Sequence, residues 1–113
     1  MVSIANNILP KPLSDKLPQI REACRRFDVN RLYVFGSATN ARFNEASDID
    51  FLVSFNKKNQ SKILDNYMAL HYYLAEILNR KIDLLTESAL QFDVNPYFNQ
   101  TVEQTKILLF DEN

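Results

Sequence analysis

The sequence predicts a small α/β domain of the α+β kind, and two observations carry that expectation. Three short runs rich in β-branched and aromatic residues, at 31–35, 48–55 and 81–85, read as strands. Between and before them, the stretches at 13–27 and 61–79 repeat apolar residues every three or four positions, as amphipathic helices do. With 113 residues the chain is long enough for one core and too short for two, so 1–113 reads as a single domain.

Residues 1–12 hold two prolines and no clear period, and are expected to be a loosely attached lead-in. Leu13, Leu17, Ile20, Cys24 and Phe27 step by four and three along one helical stripe, with Pro18 in the first turn, where a missing N–H costs least. Cys24 lies on that stripe and is expected to be a small core residue. Residues 31–35 form a strand that stops at Gly36. In the strand Asp48–Phe55, Ile49, Phe51, Val53 and Phe55 share one face. The helix over 61–79 buries Ile63, Tyr67, Leu70, Leu74 and Ile77. His71 falls at the edge of that face, in line with Met68 and Ala75, as a packed or interface residue. Of the pair Tyr72-Tyr73, at most one lies on the stripe. Lys81–Leu85 is a third strand with Ile82 and Leu84 on one face. A short helix follows Thr86, a longer one starts near Pro96, and residues 107–110 read as a last helical turn or an edge strand.

Apolar residues make up 46% and charged residues 24%, with a net charge of −1 and a pI near 5.8. That balance lacks the basic footprint of a protein that grips phosphate backbones. Lys57, Lys58 and Lys62 read as a solvated helix entrance. One cysteine forms no internal disulfide, and no apolar run approaches the roughly 18 residues that span a bilayer. The opening MVSIANNILP lacks the charged start and apolar stretch of a secretory signal. The expectation is a soluble, cytoplasmic protein with neither nucleic acid nor membrane as its partner.

The chemistry concentrates in residues 35–53, FGSATNARFNEASDIDFLV. Gly36 is the single glycine of a chain that would carry about eight at average usage. Residues i and i+2 of a strand project together, so Asp48 and Asp50 point away from the apolar set, roughly 6–7 Å apart. Left alone they would repel; a hard cation such as Mg²⁺, held by one or two carboxylates and substrate phosphates, removes the repulsion. Asp83 alternates with Ile82 and Leu84 and leaves the apolar face as well. If the second and third strands are neighbours, three carboxylates converge on one open sheet face, the layout of a two-metal phosphoryl-transfer site. A strand ending in Gly36-Ser37 before a short helix offers backbone N–H groups and a hydroxyl to an anion. A nucleoside triphosphate fits between the two halves. Ser47 reads equally as a turn residue or a phosphate ligand.

Gly36-Ser37, ten intervening residues and Asp48-Ile49-Asp50, with LYVF before, FLV after and KIDLL at 81–85, resemble the polymerase-β-like nucleotidyltransferase superfamily. More narrowly, the chain is similar to the minimal nucleotidyltransferases over about residues 15–110. The resemblance implies a mixed sheet flanked by helices, with Asp48 and Asp50 ligating two Mg²⁺ ions and Asp83 ligating one. It implies that Asp83 also takes the proton of an acceptor hydroxyl that attacks the α-phosphate of ATP. Many such proteins are antitoxins that form a hetero-oligomer with a helical HEPN-type ribonuclease toxin, and some transfer AMP onto a tyrosine of it. Family members often read Gly-Ser-Arg-Ala-Arg-Gly where this chain reads Gly36-Ser37-Ala38-Thr39-Asn40-Ala41, so Arg42 is the nearest cation for the phosphates. Two other functions fit the same fold: an antitoxin that neutralises its partner by binding alone, and a transferase acting on small molecules. Length argues against the second, because such enzymes add a further domain to build the acceptor pocket.

Overall fold

In the computed structural model, which describes residues 9–40, 43–92 and 95–112, four strands make one mixed sheet. They are β1 (Val29–Phe35), β2 (Ile49–Phe55), β3 (Ile82–Thr86) and β4 (Ile107–Asp111), in the order β3-β2-β1-β4. β1 runs antiparallel to both β2 and β4, and β3 runs parallel to β2. The helices are α1 (Lys11–Ser14), α2 (Leu17–Arg26), α3 (Ile63–Leu78), α4 (Glu87–Gln91) and α5 (Pro96–Thr105). This is the expected α/β fold of a mixed sheet flanked by helices.

Period-two alternation along the strands builds the main core. Leu32 and Val34 of β1, Ile49, Phe51, Val53 and Phe55 of β2, and Ile82 and Leu84 of β3 pack with Ile20 and Cys24 of α2 and Leu70 and Leu74 of α3. Burial pushes the Cys24 thiol up to about 12; the nearby Arg25 and Arg21 charges offset only part of that. Ile63, Tyr67 and Ile77 pack against the same core half-buried, and Tyr73 meets Phe27 edge-on at 6.4 Å while Tyr72 is exposed. α3 ends at Asn79 in the left-handed conformation (φ 51°), a common helix stop. Lys57, Lys58 and Lys62 are exposed on the two-turn 3₁₀ segment that precedes α3.

One expectation is corrected and two are sharpened. The helix expected to run unbroken from Leu13 is interrupted at Asp15-Lys16. Pro18 has no N–H for the Ser14 carbonyl and its ring crowds that carbonyl, so the chain restarts as α2 with Pro18 in its first turn. The stripe survives the break, since Leu13, Leu17, Ile20 and Cys24 are all buried. Of the expected lead-in, residues 9–12 are described, and Leu9 is only 8% exposed within the core. Residues 107–110 resolve as an edge strand, with Leu32 opposite Phe110 and Val34 opposite Ile107. Among the described residues no helix is long and apolar enough to cross a membrane.

The sheet face away from this core is not open along its whole length. Phe35 and Leu52 are buried there beneath Val102 of α5, with Tyr33, Leu85, Leu90 and Phe98 around them. Phe98 meets Phe35 edge-on at 6.1 Å. What remains uncovered is the sheet end where β1 stops and β2 and β3 begin.

Candidate active site

Strand register gathers the site. Asp50 stands opposite Phe35 of β1 on one side and Asp83 of β3 on the other. The three residues therefore form one row across the sheet, with neighbouring strands about 4.8 Å apart. β2 and β3 are neighbours, as the site expectation required, and their parallel pairing puts Asp50 and Asp83 side by side.

The pair is electrostatically loaded. Partial burial pushes the Asp50 carboxyl up from 3.8 to about 6, and the hydrogen bond with Asp83 and the negative charges of Asp83 and Asp48 push the same way. A hydrogen bond between two acids needs a proton that neither keeps when both ionise. Asp83 itself is exposed.

Asp48 stands just ahead of β2 and not within it, which corrects the strand expected from Asp48. Its carboxylate lies 4.0 Å from Lys81 Nζ, at the foot of β3. The backbone between them is tied too, with the Ile49 N–H donating to the Lys81 carbonyl at 3.3 Å. Among the described residues, no group of three histidine, cysteine or acidic side chains stands ready to hold a metal ion. Asp50 and Asp83 nevertheless fit a hard divalent cation. They offer only carboxylate oxygens, they repel each other, and Mg²⁺ takes its remaining positions from substrate phosphates and water.

Gly36 adjoins the pair. Its φ is +78°, and a Cβ there would lie 2.8 Å from Asp50 Oδ2, so any side chain would displace the carboxylate. The sequence associates this glycine with a phosphate; in the structure its close neighbour is an acid of the site. Its N–H is engaged, donating to Thr105 Oγ1 of α5 at 3.1 Å, while the Thr105 hydroxyl donates to the Thr101 carbonyl at 2.7 Å. The next residue, Ser37, is half-buried at the start of a single 3₁₀ turn, Gly36–Thr39, that no side chain caps. Its hydroxyl has no hydrogen-bond partner among the described residues.

Ser47 takes the turn role. Its hydroxyl accepts from the Asn44 N–H at 3.0 Å and its own N–H donates to the Asn44 carbonyl at 3.0 Å, closing the loop before β2. Arg42 lies outside the described residues. The cation that does hold this loop is Arg80, which donates to the carbonyls of Asn44 (3.1 Å) and Ser47 (2.9 Å) and lies 4.7 Å above the Phe43 ring.

A cavity of about 410 Å³ opens over Asp50 and Asp83. Phe35, Leu85 and Phe98 give it apolar walls, and Tyr67 and His71 of α3 close the side beyond β3. The Tyr67 hydroxyl donates to the Leu84 carbonyl at 2.6 Å, capping an edge group of β3. Sequence reading placed Tyr67 in the core and left His71, Arg80 and Thr105 without a role in the site. The usable signals were the i, i+4 spacing of Tyr67 and His71 and the position of Arg80 directly before the third strand.

Fold and donor set together define a class, the α/β proteins that transfer phosphoryl groups at one end of a mixed sheet. The chain belongs to the nucleotidyltransferase domain family, whose model matches residues 17–109. It is 31% identical over 99 residues to a protein of Methanocaldococcus jannaschii provisionally named a protein adenylyltransferase; the match spans 80% of this chain and 95% of that one. Among solved structures it is similar to one provisionally described as a minimal nucleotidyltransferase (TM-score 0.64, 26% identity, 84% of this chain and 90% of that one). The fold is also that of an MNT antitoxin solved in complex with the tri-AMPylated HEPN toxin of Shewanella oneidensis (TM-score 0.53, 20% identity, 85% and 70% covered).

Proposed function

We propose that this chain is a single-domain protein adenylyltransferase that moves AMP from ATP onto a hydroxyl of a partner protein. The favoured acceptor is a tyrosine of a HEPN-type ribonuclease toxin, held in a cytoplasmic hetero-oligomer and silenced by the transfer. The observation that carries the reading is the row in which Asp50 pairs with Asp83 while Gly36 leaves room for the Asp50 carboxylate.

In this reading Asp48, Asp50 and Asp83 hold Mg²⁺, two ions with Asp83 on one of them, and Ser37 contacts the phosphates beside Gly36. Bound Mg²⁺ supplies Lewis-acid stabilisation of the charge that develops on the phosphate oxygens. The acceptor oxygen bonds to the α-phosphorus, the bond from that phosphorus to the bridging oxygen breaks, and pyrophosphate leaves in line. The hydroxyl proton passes to the Asp83 carboxylate. Arg80 positions Asp48 and Asp50 by fixing the loop that leads into β2.

A protein acceptor is supported by the surface next to the cavity. Leu64, Met68 and Tyr72 recur every fourth residue of α3 and are 67%, 61% and 72% exposed. Leu64 also lines an apolar groove with Tyr67, Leu84, Leu85 and Ala89, and that groove shares Tyr67, Leu84 and Leu85 with the cavity. Exposed aromatic and aliphatic side chains grouped on one face of the helix that lines a site suit a protein partner better than a small polar acceptor.

One observation favours neutralisation by binding alone: the Gly36 N–H, a candidate phosphate donor, is held by Thr105. The two readings separate on one experiment. The protein is incubated with the toxin encoded beside it, labelled ATP and Mg²⁺, and label is sought on the toxin. Transfer by the wild type, abolished in Asp48→Asn, Asp50→Asn and Asp83→Asn, supports the enzyme. Inhibition of the toxin without label overturns it in favour of binding alone.

A further inference from the structure

In-line transfer divides a phosphoryl-transfer site into two sides, because entering and leaving oxygens lie on opposite sides of the phosphorus. The sheet order β3-β2-β1-β4 gives those sides a place in this chain. Gly36 and Ser37 follow β1 on one flank of Asp50, and Asp83 lies on β3 on the other. With the departing phosphates over the β1 flank, the acceptor enters over the β3 flank, and that is where α3 brings Tyr67 and His71 to the cavity wall.

The polar groups of that wall are unequal. Asp50 and Asp83 accept hydrogen bonds once ionised and donate none. The Tyr67 hydroxyl is committed to the Leu84 carbonyl. His71, one turn further along α3, rests at a tilt against the Tyr67 ring with centroids 6.5 Å apart. It is half-buried, and its ring nitrogens have no hydrogen-bond partner among the described residues. Tyr67, Leu84 and Leu85 give the β3 flank of this cavity of about 410 Å³ an apolar lining that suits a flat apolar body, whose polar end then meets Asp83 and His71.

We propose that this cavity is the acceptor pocket, shaped for an aromatic hydroxyl, and that His71 is its specificity-determining contact. An imidazole N–H donates to the acceptor oxygen, which leaves that oxygen its proton to give to Asp83 and a lone pair to direct at phosphorus. The assignment rests on the adenylyltransferase reading for its chemistry and on the cavity for its geometry. An aliphatic hydroxyl on a short side chain reaches the acids without filling the apolar walls, so a serine or threonine acceptor is disfavoured.

His71 is the single histidine of the chain, so its ring signals in a proton NMR spectrum need no assignment by mutation. The wild-type protein is titrated separately with N-acetyl-L-tyrosinamide, with N-acetyl-L-serinamide and with a non-hydrolysable ATP analogue plus Mg²⁺. The expected result is a saturable shift of the His71 signals with the tyrosine compound alone. Silence toward it, or a response to the nucleotide only, overturns the pocket. In toxin labelling, His71→Phe keeps the ring contact with Tyr67 and loses the hydrogen bond. It should raise the toxin concentration for half-maximal labelling about 3- to 10-fold, with the ATP requirement unchanged and with recovery in His71→Gln. An unimpaired His71→Phe also overturns the assignment. Absence of transfer by the wild type beside an intact tyrosinamide response would instead overturn the adenylyltransferase reading and leave the pocket standing.

Discussion

Replacing Asp50 by asparagine should stabilise the fold while removing activity. In the native state its carboxyl is pushed from 3.8 to about 6 by partial burial, by the hydrogen bond with Asp83 and by the charges of Asp83 and Asp48. A native value above the unfolded one means the folded protein binds this proton more tightly. The penalty on the folded state is therefore absent below pH 3.8, grows between there and about 6, and is complete above 6. A gap of about two pKa units has a ceiling of about 3 kcal/mol. Solvent reaches the half-buried carboxylate, and screening reduces the effect to on the order of 1 kcal/mol. Asparagine keeps the shape, removes the charge and donates to Asp83. In chelator at pH 8 the variant should melt about 4 °C above wild type, and the gap should close as the pH falls from 6 toward 4. Millimolar Mg²⁺ should raise the wild-type Tm and leave the variant nearly unmoved. Calorimetric scans across pH provide the measurement. A variant less stable than wild type at pH 8, or a gap indifferent to pH, would refute the account of Asp50 as a repelled carboxylate.

Three further outcomes are expected. Gly36→Ala forces a Cβ to within 2.8 Å of Asp50 Oδ2 at φ +78°, so it should cost about 1–2 kcal/mol in urea unfolding and abolish transfer. Arg80→Ala removes two hydrogen bonds and the contact with Phe43. It should speed amide exchange at Ser47 and lower transfer about tenfold, with partial recovery in Arg80→Lys, because both bonds leave one nitrogen that an ammonium can replace while the flat contact with Phe43 is lost. Cys24, with its thiol pushed up to about 12 by burial, should resist a disulfide reagent at pH 8 until urea unfolds the domain.

Much of this was legible because strands and helices print their period on the sequence. The alternation of Ile49, Phe51, Val53 and Phe55 against Asp50 gave β2 and its faces, and Ile82, Asp83 and Leu84 gave β3. Local rules could not show what depends on distant partners. The bond from Gly36 to Thr105 spans 69 positions, and Val102, which covers Leu52, lies 50 positions beyond it. β4 was ambiguous because four consecutive apolar residues, ILLF, carry neither period; pairing with β1 decides it. Asp48 lies outside its expected strand because the ladder starts only at Ile49, opposite Ile82. His71 showed its edge position on the helix but not the cavity, since that wall exists only where α3 passes the free edge of β3.

The row of Phe35, Asp50 and Asp83 also bears on how this protein can fail. Side chains alternate across a strand, so a slip of one residue between β2 and β3 would turn Asp83 toward the apolar core and Leu84 toward water. The error that dismantles the chemistry is then the error the core most strongly rejects, since an unpaired carboxylate is among the costliest groups to bury. A misaligned yet compact molecule should be inert and not merely sluggish. Specific activity in a mixed preparation would thus count the molecules whose strands have found their true partners.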